Sequence, residues 1–279
     1  MIRHACFDLD GTLINGAGDI TQGVRSALHD LAAAGVTLSV VSGRPRFAAC
    51  PLMAGLPFSG PHVFFSGALI ESHDRAEALH EAPLGVSALL ALIEFSRTEG
   101  VPLELYGRDA YYVEAITPLN RLHAEVYLKQ FPVEHPLDDI ASTVPVLKAV
   151  VIAKSAAEAT RFEAMLRGVP ELTFTTARGA AHPDLLFFSA TSPAASRERA
   201  LDLLISATGI PAGDMAAFGD SDSDVTFLAG VGFGVAVANA TQSAKAAARY
   251  HTGSVEEDGV AIAVRAILDD RLHELRSNR

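Results

Sequence analysis

Apolar and polar positions follow two rhythms along this chain. Near the amino end, an apolar run at residues 5–7 predicts a short buried strand. Val24, Leu28 and Leu31 then keep helical spacing up to Gly35. Residues 36–41 are a β-rich run, followed at once by Ser42-Gly43-Arg44-Pro45. Pro45 suits the first turn of a helix, with Ser42 or Gly43 near its N-cap. Residues 63–65 read as a further strand, ending in Ser66-Gly67-Ala68. Strand, helix, strand, helix, strand is the rhythm of an α/β sheet.

From about Pro83 the rhythm changes. Val86, Leu89, Leu90 and Ile93 predict a helix, and residues 102–106 and 110–114 two strands joined at Gly107-Arg108-Asp109. A helix near 118–129, a strand at 146–153, a helix at 156–166 and a strand at 172–176 follow. That order suits an α+β module with an open antiparallel sheet, inserted into the first domain. After Pro183 the α/β rhythm returns, with a strand at 185–188, a helix at 195–207 and strands at 215–218 and 231–236. An alanine-rich helix follows Asn239, and Val260, Val264, Ile267 and Leu268 mark a closing amphipathic helix. The expected organisation is a parallel sheet flanked by helices, built from residues 1–82 and 183–279, around an insert at 83–182.

Composition narrows the function classes. At 279 residues, 49% apolar and 20% charged, the chain can bury a large core and form two domains. A formal net charge of −11 argues against nucleic-acid binding, which calls for a basic face. Two cysteines, Cys6 and Cys50, give no disulfide framework and point to a reducing cytoplasm. The ten histidines show no His-Glu-x-x-His pattern, so zinc is not expected. No apolar run approaches a membrane span, and the first strand begins too near Met1 to leave room for a signal peptide.

Three predicted strand ends carry polar groups: Asp8 and Asp10, then Ser42, then Asp220 and Asp224. Two carboxylates two residues apart require either a raised pKa or a cation between them. Asp8-Leu9-Asp10-Gly11 taken alone is an ordinary acidic turn. In an open parallel sheet, however, such strand ends converge on one crevice. An acidic cluster with a hydroxyl suits Mg²⁺, which prefers oxygen ligands and a substrate phosphate as partner. An EF-hand at Asp220 is excluded, because Val225 and Val231 stand where glycine and glutamate are needed. No Walker A lysine motif and no well-placed Gly-x-Gly-x-x-Gly support a nucleotide fold.

The ordered set of motifs resembles the haloacid dehalogenase superfamily, specifically its Cof-type, class IIB phosphatases. Asp8-Leu9-Asp10-Gly11-Thr12 is similar to the first motif and Ser42-Gly43-Arg44 to the second, usually Thr-Gly-Arg. Gly219-Asp220-Ser221-Asp222-Ser223-Asp224 resembles the fourth, and residues 235–240 and 257–260 the closing signatures. In the third, Arg197 stands where the family usually has lysine, replacing a point charge by a planar fork. Ser66-Gly67-Ala68 replaces Asn-Gly-Ala, and Ser189 stands for an acidic residue usual before the third motif.

The resemblance implies a Rossmann-like core with an α+β cap that closes over the site and reads the leaving group. It implies a Mg²⁺-dependent phosphatase acting on a small phosphorylated metabolite, such as a sugar phosphate or a phosphorylated cofactor. Asp8 would be the nucleophile forming an aspartyl-phosphate, and Asp10 the general acid and base. Asp8, the Asp10 carbonyl and Asp220 would hold the metal, with Asp224 behind them. Ser42, the Gly43 N–H and Arg197 would bind phosphoryl oxygens, and Arg197 would also offset the Asp8 charge. Tyr106, Arg108, Tyr111, Arg121, Lys148 and Arg178 are possible cap contacts. The expected partners exclude nucleic acid and membranes, and the expected state is a monomer or homodimer. Sugar phosphomutase chemistry and a non-catalytic binding protein on the same fold are the alternatives.

Overall fold

The computed structural model describes residues 1–74, 78–179 and 181–275. Its first strand, β1 (His4–Phe7), is buried at all four positions, as a strand covered on both faces must be. Helix α1 (Gln22–Ala33) starts at Thr21, whose Oγ1 accepts from the Val24 N–H at 3.2 Å, and it buries Val24, Ala27, Leu28 and Leu31. The chain continues through β2 (Thr37–Val40), the single turn α2 (Arg46–Ala49), β3 (His62–Phe64), β4 (Leu69–Glu71) and β5 (Ala78–Glu81). The helix expected after Ser42 differs from its sequence reading. It begins at Arg46, its cap position is Pro45, and neither Ser42 nor Gly43 caps it. The reason is continued strand pairing: Val41 bridges Val63 in parallel, and the Ser42 N–H donates to the Val63 carbonyl at 2.9 Å.

Next come α3 (Val86–Glu99), β6 (Leu103–Tyr106), β7 (Tyr111–Val113), α4 (Pro118–His123) and a π-helical turn at Ala124–Leu128. Then follow β8 (Val133–Glu134), α5 (Leu137–Thr143), β9 (Lys148–Ala153), α6 (Ala156–Gly168), β10 (Thr173–Arg178) and β11 (Leu186–Thr191). These strands form one sheet in the order β10-β11-β9-β6-β7-β8, antiparallel except where β7 meets β8. Alternate residues of it, among them Leu105, Val151 and Phe188, pack with Leu89, Ile140 and Phe162 from α3, α5 and α6. The strand read at 185–188 as a return to the parallel sheet is therefore corrected. It lies in β11, between β9 and β10, in the antiparallel sheet. A short apolar run does not declare which sheet it joins.

The chain then runs through α7 (Arg197–Thr208), β12 (Met215–Gly219), α8 (Val225–Gly230), β13 (Phe233–Ala236), α9 (Gln242–Ala247), β14 (Tyr250–His251) and α10 (Gly259–Leu268). A five-stranded, wholly parallel sheet has the order β14-β13-β12-β1-β2, and β3, β4 and β5 form a smaller sheet. The fold is α/β. The chain divides into two compact units, one of Met1–Gly43, Pro51–His80 and Ser196–Arg279, the other of Arg44–Cys50 and Glu81–Ala195. Among the described residues, no helix is long and apolar enough to cross a membrane.

Candidate active site

β1 and β12 are neighbours in register, with Phe7 beside Phe218, and the Asp8 N–H donates to the Phe218 carbonyl at 3.0 Å. Asp8 and Asp220 therefore leave the same edge of the parallel sheet. Beyond Asp8 the chain folds back tightly, the Leu13 and Ile14 N–H groups donating to the Leu9 carbonyl at 3.0 and 2.8 Å. Gly11 is needed in that turn for two reasons. Its φ is +79°, and a Cβ there would stand 2.4 Å from Asp220 Oδ2. Thr12, buried beside it, donates to Asp220 Oδ1 at 3.4 Å. Asn239 fixes the turn from outside, donating to the Gly11 carbonyl at 2.8 Å and accepting from the Val255 N–H at 2.9 Å.

After β12 the chain enters a 3₁₀ turn at Asp222–Asp224. Asp224 Oδ2 accepts from the Asp220 N–H at 3.1 Å, the Ser221 N–H at 2.9 Å and Ser221 Oγ at 2.8 Å. Those bonds point the Asp224 carboxylate inward, across a Gly219 whose Cβ would lie 2.5 Å from that of Asp224. As a result Asp8, Asp220 and Asp224 each offer a carboxylate oxygen within 4.8 Å of the others. Asp10 is exposed, and its carboxylate is not one of these three. Burial, then repulsion from Asp224 and Asp10, holds the Asp8 carboxyl well above the usual carboxylate range, with Arg197 opposing the rise. Burial and the Asp224 charge push Asp220 up to about 7, against the Thr12 hydrogen bond. Three converging carboxylate oxygens form a hard, oxygen-only donor set lacking enough positive charge, which fits a divalent cation such as Mg²⁺.

Arg197 is the first residue of α7, behind its N-cap Ser196, and is 8% exposed. Nε and Nη1 of its guanidinium are buried with no acceptor among the described residues. A buried cation at a helix N-terminus opposes the helix dipole, so only an anion compensates it. Asp8 supplies part of that charge, and the free N–H groups have room for more acceptors. A turn beside α7 constrains this end of the helix. Phe65, Ser66 and Gly67 have φ of 51°, 58° and 110°, three successive left-handed residues. A Cβ on Gly67 would meet the Ser196 carbonyl oxygen at 2.8 Å, so that glycine permits the approach. The Ser66 N–H donates to the Ser42 carbonyl at 3.1 Å, and a Cβ on Gly43 would lie 3.1 Å from Ser66 Oγ.

Asp8, Asp220, Asp224 and Arg197 thus share one electrostatic cluster, with Asp10 acting on it from the exposed side. Ser42 is buried at the end of β2, and Gly43 follows it, beside Ser66. Sequence reasoning missed Thr12 as an Asp220 partner and Ser221 as the group orienting Asp224, although both sit inside the motifs. The clamping role of Asn239 is not legible in sequence, because Gly11 lies at the other end of the chain.

Known proteins resemble the chain over its whole length. The Bacillus subtilis protein YxeH is 27% identical over 272 residues, covering 96% of this chain and 99% of the relative. The pyridoxal phosphate phosphatase YbhA of Escherichia coli is 24% identical, covering 93% of this chain and 96% of its own. A haloacid dehalogenase-like hydrolase from Bacteroides thetaiotaomicron superposes with a TM-score of 0.83 at 25% identity, covering 96% of this chain and all of that one. The family model of haloacid dehalogenase-like hydrolases matches residues 5–264, and with the strand-end carboxylates in place, this chain belongs to that family.

Proposed function

We propose that the protein hydrolyses small phosphomonoesters, sugar phosphates or a phosphorylated cofactor, with Mg²⁺ and through an aspartyl-phosphate on Asp8. The observation that carries this reading is the meeting of three carboxylates with a buried guanidinium whose Nε and Nη1 lack acceptors. One side of the cluster calls for a cation and the other for an anion. Asp8 and Asp220, with the Asp10 carbonyl, would hold the metal, and Asp224 fits as their neighbour or a further ligand. Bound there, Mg²⁺ offsets the repulsion between carboxylate and phosphate and polarises the phosphoryl group.

An Asp8 oxygen attacks phosphorus, the bond from phosphorus to the leaving oxygen breaks, and Asp10 gives that oxygen its proton. Asp10 then takes a proton from the water that attacks the aspartyl-phosphate, which releases inorganic phosphate and restores both carboxyl groups. Arg197 holds phosphoryl oxygens through its planar fork, and Ser42 with the Gly43 N–H provides further donors. The substrate class draws on the Escherichia coli relative, a pyridoxal phosphate phosphatase. The test is phosphate release from a panel of sugar phosphates, pyridoxal 5′-phosphate and p-nitrophenyl phosphate, with Mg²⁺ and with a chelator. Release that needs Mg²⁺ is expected. Full activity with the chelator present would overturn the metal assignment, and no release from any ester would overturn the reading.

A further inference from the structure

Asn239 stands exposed in the loop between β13 and α9. One end of its amide faces the Gly11 carbonyl, and the other faces the Val255 N–H. Only one orientation satisfies both, with Nδ2 toward Gly11 and Oδ1 toward Val255. Exposed hydrogen bonds of this kind compete with water and add little to folding stability, so the placement needs another reason.

Gly11 is the pivot between two peptide planes. The plane it shares with Asp10 is held on its N–H side, by the Ile14 carbonyl at 3.0 Å. The opposite edge of that plane is the Asp10 carbonyl, one of the proposed metal ligands. The plane shared with Thr12 has a long bond on its N–H side, to the Leu9 carbonyl at 3.3 Å. On its carbonyl side it has Asn239 at 2.8 Å. With no Cβ, both torsions at Gly11 are soft, and its φ of +79° is left-handed. Asn239 is therefore the tighter of the two holds that keep the second plane, and with it the pivot, from swinging.

The same loop grips the other carboxylate-bearing turn. The Val237 N–H donates to the Gly219 carbonyl at 3.3 Å, and the Thr241 N–H to the Asp220 carbonyl at 2.7 Å. Residues 237–241 thus bridge the turn after β1 and the turn after β12. This brace is itself anchored. The Ala238 N–H donates to the Gly253 carbonyl at 3.1 Å, and Val255 opens a 3₁₀ turn locked by a capping box between Ser254 and Glu257. From that turn Glu256 accepts from the Gly16 N–H at 2.7 Å, and Asp258 from the Thr21 hydroxyl at 2.6 Å. Those contacts hold the far end of the loop that begins at Asp8, while Asn239 holds its glycine.

We infer that Asn239 is a positioning residue of the metal site. By holding Gly11 it sets the direction of the Asp10 carbonyl and, together with the Thr241 N–H, its separation from Asp220. This inference rests on the metal assignment proposed above. Groups that orient metal ligands from behind typically matter by about 10–100-fold in affinity.

The experiment measures Mg²⁺ and Mn²⁺ binding by calorimetry to the metal-free protein and to two variants. Asn239→Leu keeps the shape of the side chain without its hydrogen bonds, and Asn239→Ala removes both. Metal binding weaker by about tenfold or more is expected in each, with the metal-free melting temperature unchanged. Phosphate release should need a correspondingly higher Mg²⁺ concentration to reach half its maximal rate. Unchanged metal affinity in both variants would overturn the inference. A loss of affinity accompanied by a lower metal-free melting temperature would also overturn it, making Asn239 structural. No metal binding by the unchanged protein would overturn the metal assignment and this inference together. Weakened metal binding as expected, with no ester hydrolysed, would instead overturn only the phosphatase reading.

Discussion

The two sheets of this protein place their charges in opposite ways. In the parallel sheet, β1 and β12 are buried along their whole length, so charge enters only where the strands end. In the antiparallel sheet one face packs against helices, and Glu104 and Lys148 lie within strands on the other. The consequence shows in how each carboxylate is treated. Asp8 and Asp220 are pushed toward protonation by burial and by the charges of Asp224 and Asp10, whereas Glu104 is surrounded by donors, from Tyr106, Asn120 and His123. The strand-end carboxylates meet with too little positive charge among the described residues to offset them. The face carboxylate is completed by the chain itself.

That contrast is sharpest at Asp8. Asp8→Asn should abolish turnover, because an amide cannot form the aspartyl-phosphate, and yet the metal-free variant should melt no lower than the unchanged protein. Steady-state kinetics and calorimetry on one preparation test both halves. Asp10→Asn keeps the nucleophile and should slow hydrolysis by about 10²–10⁴-fold, the usual worth of general acid–base help. A loss below about tenfold would remove Asp10 from that role.

Arg197 is expected to matter somewhat less. Arg197→Ala should lower kcat by about 10²–10³-fold, as loss of one preorganised electrostatic contact does, while Arg197→Lys keeps measurable activity without the fork. Turnover by Arg197→Ala at the unchanged rate would make this arginine structural. In the other sheet the expected readout is folding. Glu104→Ala strands three donors and should cost about 3–5 kcal/mol, measured by denaturant unfolding. A cost below about 1 kcal/mol would mean that the network is not a unit.

The smallest effect concerns His4 in β1. Its ring is fully buried, both nitrogens lack a partner among the described residues, and burial lowers its pKa to about 4 from 6.5. A depressed histidine is neutral in the fold but takes a proton in the unfolded chain below pH 6.5. Its contribution is therefore complete above that pH and is lost as pH falls toward 4, by roughly 3 kcal/mol in total. Unfolding free energies at pH 7.5 and 4.5 should differ less in His4→Leu than in the unchanged protein. Equal pH slopes would assign the acid sensitivity to other groups.

The carboxylate motifs were readable in sequence because they are local: a strand of apolar residues, then acids and glycine within a few positions. Gly11 and Asp220 illustrate the limit, since their close approach depends on the pairing of β1 with β12, some 200 residues apart in sequence. The brief strands β4, β8 and β14 escaped because two or three residues carry no periodicity. β11 was visible as a strand but not as an antiparallel one, because its apolar run fits either sheet. The Glu104 network was invisible for a different reason. Its members look like scattered surface polars until α4 folds Asn120 and His123 onto β6.

Segment Arg44–Cys50 belongs to the same compact unit as Glu81–Ala195, although a stretch of the other unit separates them in the chain. Phe47, on α2, lies flat against Tyr106 and Tyr111, with ring centres 6.3 and 5.8 Å away. Modular exchange is therefore constrained. A fragment of residues 81–195 expressed alone would lose the ring that shields this aromatic pair and expose an adhesive face. Recombination that moves the insert into a different host must carry the loop after Gly43 with it, or recreate a Phe47 equivalent there.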